Sequence, residues 1–183
     1  MGNCVGISKE NSAVTTSVSV REHQPELSLT ASQMTLLKLA NFENTPEYGL
    51  KNFRGWGKVV DVYDGDTVHV AMIIDGMKKR IKCRLAEIDT AELNSEDSLE
   101  VEHAKKARDR MQELTSNGGN LVWVHVIGQD KYGGRYVTKL YPNKFETDSM
   151  SFSRTMLDEN LAYYYDGKTK KKPFREWYKK TNH

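Results

Sequence analysis

The chain has 183 residues, of which 38% are hydrophobic and 28% charged, which suits one domain with an appendage and a modest core under a very polar surface. A net charge of +2 does not by itself mark a nucleic-acid binder. No run of about 18 apolar residues is present, which excludes a membrane-spanning helix. Cys4 and Cys83 are the only cysteines, so a disulfide framework is not expected and a reducing, intracellular and cytoplasmic setting fits. The histidines are scattered without zinc-like spacing.

The first segment, "MGNCVGIS", places Gly2 after the initiator Met and Cys4 two positions on. This is similar to an N-myristoylation signal with an adjoining palmitoylation site, and two acyl chains hold a protein at the cytoplasmic face of a membrane where one does not. The signal departs from the usual rule at Gly6, where Ser or Thr is expected. No apolar stretch of secretory type follows. Residues 1–30 are rich in Ser, Thr, Glu and Gln and read as a tail.

Residues 31–52 form a short helix and an entry loop. Met34, Leu37 and Phe42 recur at helical spacing over Ser32–Phe42, with Ser32 as a cap and an inward face packed on the domain. "NTPEYGLKNFRGWG" carries Pro46 and three glycines and reads as a loop.

Residues 53–183 carry the principal domain. Lys58–Tyr63 and Thr67–Ile73 read as strands joined at Asp64-Gly65, a pair that accepts positive φ. A second Asp-Gly turn at Asp75 leads to a strand over Arg80–Ala86. Ala104, Ala107, Met111 and Leu114 share one face of a helix over Ser95–Leu114, capped within Ser95–Ser98 and ended by Asn117-Gly118. Strands follow at Asn120–Gly128 and Arg135–Tyr141, then a helix over Ser149–Asn160. The order βββ-α-ββ-α is that of a five-stranded OB-type barrel, a mainly β α+β fold with two or three packed helices. The chain ends in "DGKTKKKPFREWYKKTNH", a basic segment that attracts polyanions or simply stays solvated.

Three clusters break the strand pattern. Asp66 shares parity with Val68 and Val70 and therefore points toward the interior, where a carboxylate needs a cation or hydrogen bonds. Asp64-Gly65-Asp66 alone reads as a tight hairpin. Arg84, Asp89, Thr90 and Glu92 surround a second strand end, and "DKYGGRY" presents Arg135 from a glycine-bearing turn. Carboxylates suit a hard cation, and guanidinium groups suit phosphate oxygens. Together they are the groups that phosphodiester hydrolysis requires.

The segments "DGDTV", "RLAEIDTAE", "DKYGGR" and "NLAYYYDG" resemble, in this order between Phe53 and Tyr178, the signatures of the thermonuclease, or staphylococcal-nuclease-like, family. The resemblance implies an OB-fold endonuclease, a monomer of one nuclease domain, cutting DNA or RNA with Ca²⁺ and with Mg²⁺ as a weak substitute. By position it implies Asp66, Asp89 and the Thr90 carbonyl as calcium ligands, Glu92 as the general base or positioner of water, and Arg84 and Arg135 as stabilisers of the transition state. It makes Asp64 a support for these ligands, and Lys131, Tyr132, Tyr163 and Tyr165 contacts to nucleic acid. Two departures stand out: Ala91 where the family has Pro, and Gly134 inserted before Arg135. The alternative is a nuclease-like module that binds nucleic acid or protein without cutting, but such modules typically lack acids or arginines that this chain retains.

Overall fold

The computed structural model describes residues 28–45, 47–131, 133–168 and 173–181. Gly2, Cys4 and Tyr132 lie outside them. The chain divides into two compact units, residues 1–47 and 48–183.

In the first unit, helix α1 spans Ala31–Lys38. Its cap is Thr30 rather than Ser32: the Thr30 hydroxyl accepts the Gln33 N–H, and the Gln33 side chain accepts the Thr30 N–H. This reciprocal capping box satisfies two otherwise unpaired donors. Within this unit none of the helix's residues is buried, Met34 and Leu37 included. The helix also stops short of Phe42, which is exposed.

In the second unit, strands β1 (Arg54–Val62), β2 (Thr67–Ile74), β3 (Met77–Leu85), β5 (Leu121–Gln129) and β6 (Tyr136–Tyr141) close a barrel in the order β1-β2-β3-β6-β5. A short pair, β4 (Ile88–Asp89) and β7 (Tyr163–Tyr164), lies outside the barrel sheet. The β3–β6 pairing is parallel and the others are antiparallel. Helices α2 (Ser98–Ser116), α3 (Phe152–Asp158) and α4 (Phe174–Thr181) complete the unit. The fold is the α+β OB-type barrel that the strand pattern implies.

Alternation fills the barrel. Val68, Val70 and Met72 of β2 and Ile81, Cys83 and Leu85 of β3 point inward, meeting Val122, Val124, Val126 and Leu140. Each such side chain contributes about 1.5–3 kcal/mol when fully buried. Burial pushes the Cys83 thiol up to about 12, so it packs as a small apolar group. On α2, Ala104, Ala107 and Met111 are buried as their spacing predicts, but the cap is Asp97 and the helix runs on to Ser116.

Several boundaries differ from the sequence reading because pairing partners extend the strands. β1 begins at Arg54, since Arg54–Lys58 pair with β5 across the barrel closure despite two glycines. β3 begins at Met77, paired with Ile74 across a two-residue turn. α3 is shorter than expected, beginning at Phe152 after the Ser151 cap. Helix α4 occupies what reads as a basic tail: Phe174, Trp177 and Tyr178 pack around His103 of α2, with ring centroids 5.2–5.8 Å away.

The two Asp-Gly turns are built differently. Asp75 and Gly76 both have positive φ, as a two-residue hairpin turn requires. Asp64 and Gly65 do not, contrary to expectation. A Cβ on Gly65 would stand 2.8 Å from the Ala107 Cβ and 2.9 Å from the Thr90 Cγ2. Glycine is needed there for space, because the turn lies directly on α2 and on the chain after β4.

Candidate active site

The β1–β2 turn sets Asp66 at the barrel mouth, where it is only 4% exposed. Its burial is matched by donors. One carboxylate oxygen accepts the Thr67 hydroxyl at 2.9 Å and pairs with the Arg84 guanidinium. The other accepts the Thr90 N–H at 3.0 Å and the Thr90 hydroxyl at 3.1 Å. Residues 24 positions apart are thereby locked together. Asp64 supports this arrangement from the turn itself: its Oδ1 accepts the Asp66 N–H at 3.0 Å. Burial raises the Asp64 pKa, while the nearby Arg84 charge opposes that shift.

Arg84 leaves β3 on its outward face and bridges two acids. One nitrogen pairs with Asp66, and another donates to Asp89 Oδ1 at 2.7 Å. This bridge is partly buried. The remaining Asp89 oxygen accepts the Tyr163 hydroxyl at 2.8 Å, and the same hydroxyl lies 3.5 Å from the Thr90 carbonyl oxygen. Asp89 and Tyr163 are cross-strand partners in the β4–β7 pair, which explains the contact. Burial, and then the Asp89 charge, raise the Tyr163 pKa, so the phenol stays a donor.

An open cavity of about 960 Å³ covers this cluster. Asp64, Asp66, Arg84, Asp89, Thr90, Glu92, Lys131, Arg135 and Tyr165 all line it, drawn from three separated sequence segments and the chain after β7. Arg135 comes from the β5–β6 turn, which is closed by the Asp130 N–H to the Arg135 carbonyl at 2.9 Å. Its guanidinium pairs with Asp130 at 2.5 Å and is 30% exposed. Gly133 and Gly134 both have positive φ, so the inserted glycine is taken up within the turn. Lys131 donates to the Gly167 carbonyl at 3.4 Å. The Glu92 N–H donates to Glu100 at 3.2 Å, tying the Glu92 loop to α2.

Tyr163 alone among the described candidates does not line the cavity. It is buried beneath the cluster, while Tyr164 is 69% exposed and Tyr165 faces the cavity. Tyr63, Gln129 and Lys139, which the sequence did not single out, join the lining, as does Lys168 of the basic segment. Of these, Lys139 was the most legible: a lysine alternating with inward Thr138 and Leu140 must face out, where it pairs with Glu87 at 2.9 Å.

Among the described residues, no group of three or more His, Cys, Asp or Glu side chains is arranged to hold a metal. The candidate set is two carboxylates and one backbone carbonyl, a hard oxygen donor set. Its charge already converges on one cation, the Arg84 guanidinium shared by Asp66 and Asp89. That chemistry fits a divalent cation bound weakly, with solvent completing its shell.

No curated protein matches the chain. The family model described as staphylococcal nuclease homologue matches residues 82–182, which includes the second and third signature segments and α4. The chain belongs to the staphylococcal nuclease homologue family.

Proposed function

We propose that this protein is a calcium-dependent nuclease that hydrolyses phosphodiester bonds of DNA or RNA in the cavity at the barrel mouth. The observation that carries the reading is the bridge: Arg84 joins Asp66 to Asp89, with Glu92 and Arg135 lining the same cavity. Asp66, Asp89 and the Thr90 carbonyl would hold the calcium ion, which when bound supplies positive charge against the phosphate oxygens and the attacking water.

The protein's own groups do the rest. Glu92 orients a water and accepts its proton as the water oxygen attacks phosphorus, the P–O bond to the leaving nucleoside oxygen breaks, and that oxygen takes up a proton from solvent. Arg84 and Arg135 offer forked donors to the phosphate oxygens and balance the charge that builds on them. Lys131, Lys168 and Tyr165 line the same cavity and suit the flanking phosphate and base. Tyr163 keeps Asp89 and the Thr90 carbonyl aimed outward. With only two carboxylates, calcium affinity is expected near the weak end of the range, about 10⁻⁴–10⁻³ M.

Incubating the purified protein with single-stranded DNA in EGTA, Mg²⁺ and Ca²⁺ tests the reading. Cleavage that is strongest in Ca²⁺ and absent in EGTA is expected. Binding without cleavage in every cation would instead make the protein a nuclease-like binding module.

A further inference from the structure

The outward face of β3 carries chemistry that the cavity does not use. Ile81, Cys83 and Leu85 point into the barrel, so Lys78, Arg80, Lys82 and Arg84 fall together on the opposite face. Residues two apart on a strand are about 6.6 Å apart, so this row spans about 20 Å from the active-site arginine to the hairpin tip. Lys78 and Arg80 are exposed.

The row differs from the surface cations that are held in ion pairs. Arg110, Arg154, Arg175 and Lys180 each hold a carboxylate partner. Among the described residues, no ion pair involves Lys78, Arg80 or Lys82. Asp61, two strands over in register with Lys82, is engaged by His69 at 2.9 Å. An unneutralised line of cations along a strand attracts a linear polyanion.

Tyr63 joins this line to the cavity. The residue is 51% exposed, it lines the cavity, and the Lys82 ammonium sits 4.8 Å from its ring centroid. An exposed ring beside a row of cations is the combination that holds unpaired bases and their phosphates. A duplex keeps its bases stacked internally and has none to offer that ring.

We propose that the outer face of β3 is a binding site for single-stranded nucleic acid, in which Lys82, Arg80 and Lys78 take successive phosphates leading away from Arg84 and Tyr63 stacks on a base between them. The site deepens the nuclease reading by naming an extended single strand as substrate, and it rests on that reading only for the link to Arg84. Binding can be measured where nothing is cut.

The test compares the affinity of a labelled single-stranded 12-mer and of a dinucleotide in EGTA, using wild type, K78Q/R80Q/K82Q and a charge-matched K105Q/K106Q/R108Q control on α2. Thermal melts confirm that each variant is folded. The β3 variant is expected to weaken 12-mer binding about tenfold or more, and to reduce the log–log salt slope by about 2, since each phosphate contact contributes about 0.7. Dinucleotide binding and the α2 control should stay near wild type. Equal losses in both variants, no loss in the β3 variant, or no 12-mer binding by wild type would overturn the proposal. So would retained 12-mer binding with lost binding to phosphatidylserine vesicles, which would assign the face, with exposed Ile73 and Met77 at its tip, to a membrane surface. If wild type cuts nothing in any cation yet binds the 12-mer through this row, the nuclease reading fails and this one stands.

Discussion

The dipeptide Asp-Gly occurs twice between consecutive strands of this barrel, at Asp64-Gly65 and at Asp75-Gly76, and the two turns obey different physics. At Asp75-Gly76 the backbone needs positive φ and nothing lies within 4 Å of where a Gly76 Cβ would be. At Asp64-Gly65 the φ angles are ordinary, but α2 and Thr90 press against the turn. The first turn only reverses the chain. The second is wedged so that Asp66 emerges at the barrel mouth with both carboxylate oxygens supplied with donors. Crowding around a turn, more than its sequence, distinguishes a turn that positions a site from one that connects strands.

The largest expected effect comes from removing what the wedged turn presents. Asp66→Ala leaves the partly buried Arg84 with one acid and the Thr90 N–H without its acceptor. A destabilisation of about 3–5 kcal/mol by chemical denaturation is expected, with cleavage lost. Next is Gly65→Ala, whose effect differs in kind from that of Gly76→Ala. It should cost about 1–3 kcal/mol through overpacking against Ala107, and also lower calcium affinity by calorimetry, because Thr90 and Asp66 must shift. Gly76→Ala should cost about 1–2 kcal/mol from strain at positive φ, while leaving calcium affinity unchanged. Equal effects of the two alanines on calcium binding would collapse the comparison.

The smallest effect concerns the helix beneath the wedged turn. His103 lies one turn before Ala107 on α2, buried among the rings of α4, and among the described residues its Nδ1 has no hydrogen-bond partner. Burial lowers its pKa, against a hydrogen bond to the Asn160 backbone that raises it; Lys106 lowers it, and Glu102 raises it. Tyr178 is the other titratable group packed on the ring. Because the folded pKa lies below the unfolded value of about 6.5, His103 contributes its full share of stability above that pH. The share declines as pH falls below about 6.5 and is lost through the folded pKa. His103→Phe should therefore flatten the acid side of the melting-temperature profile, and an unchanged slope would show that His103 does not govern it.

Much of this was legible in the sequence where a local rule decides the outcome. Two-residue parity with Val68 and Val70 was enough to turn Asp66 inward, and helical spacing placed Ala107 in the core. What long-range pairing decides was not legible. Tyr163 reads as one of three tyrosines open to substrate, but pairing of β7 with β4, 74 residues away in sequence, buries it under Asp89. Helix α4 was hidden in a basic segment, because Phe174 and Trp177 find their apolar surroundings only on α2 and beside Tyr163. The reason for Gly65 lay in a neighbour 42 positions along the chain, Ala107, which no reading of a turn dipeptide can supply.

The most direct measurement is the single-turnover cleavage rate of single-stranded DNA in saturating Ca²⁺ for wild type, Glu92→Gln and Arg84→Ala. Glu92→Gln should melt like wild type and cut about 10²–10⁴-fold more slowly, as loss of a general base requires. Arg84→Ala should be both less stable and slower by about 10²–10³-fold. Wild-type rates in a normally folded Glu92→Gln variant would contradict the account, because the cavity at the barrel mouth would then not be where the bond is cut.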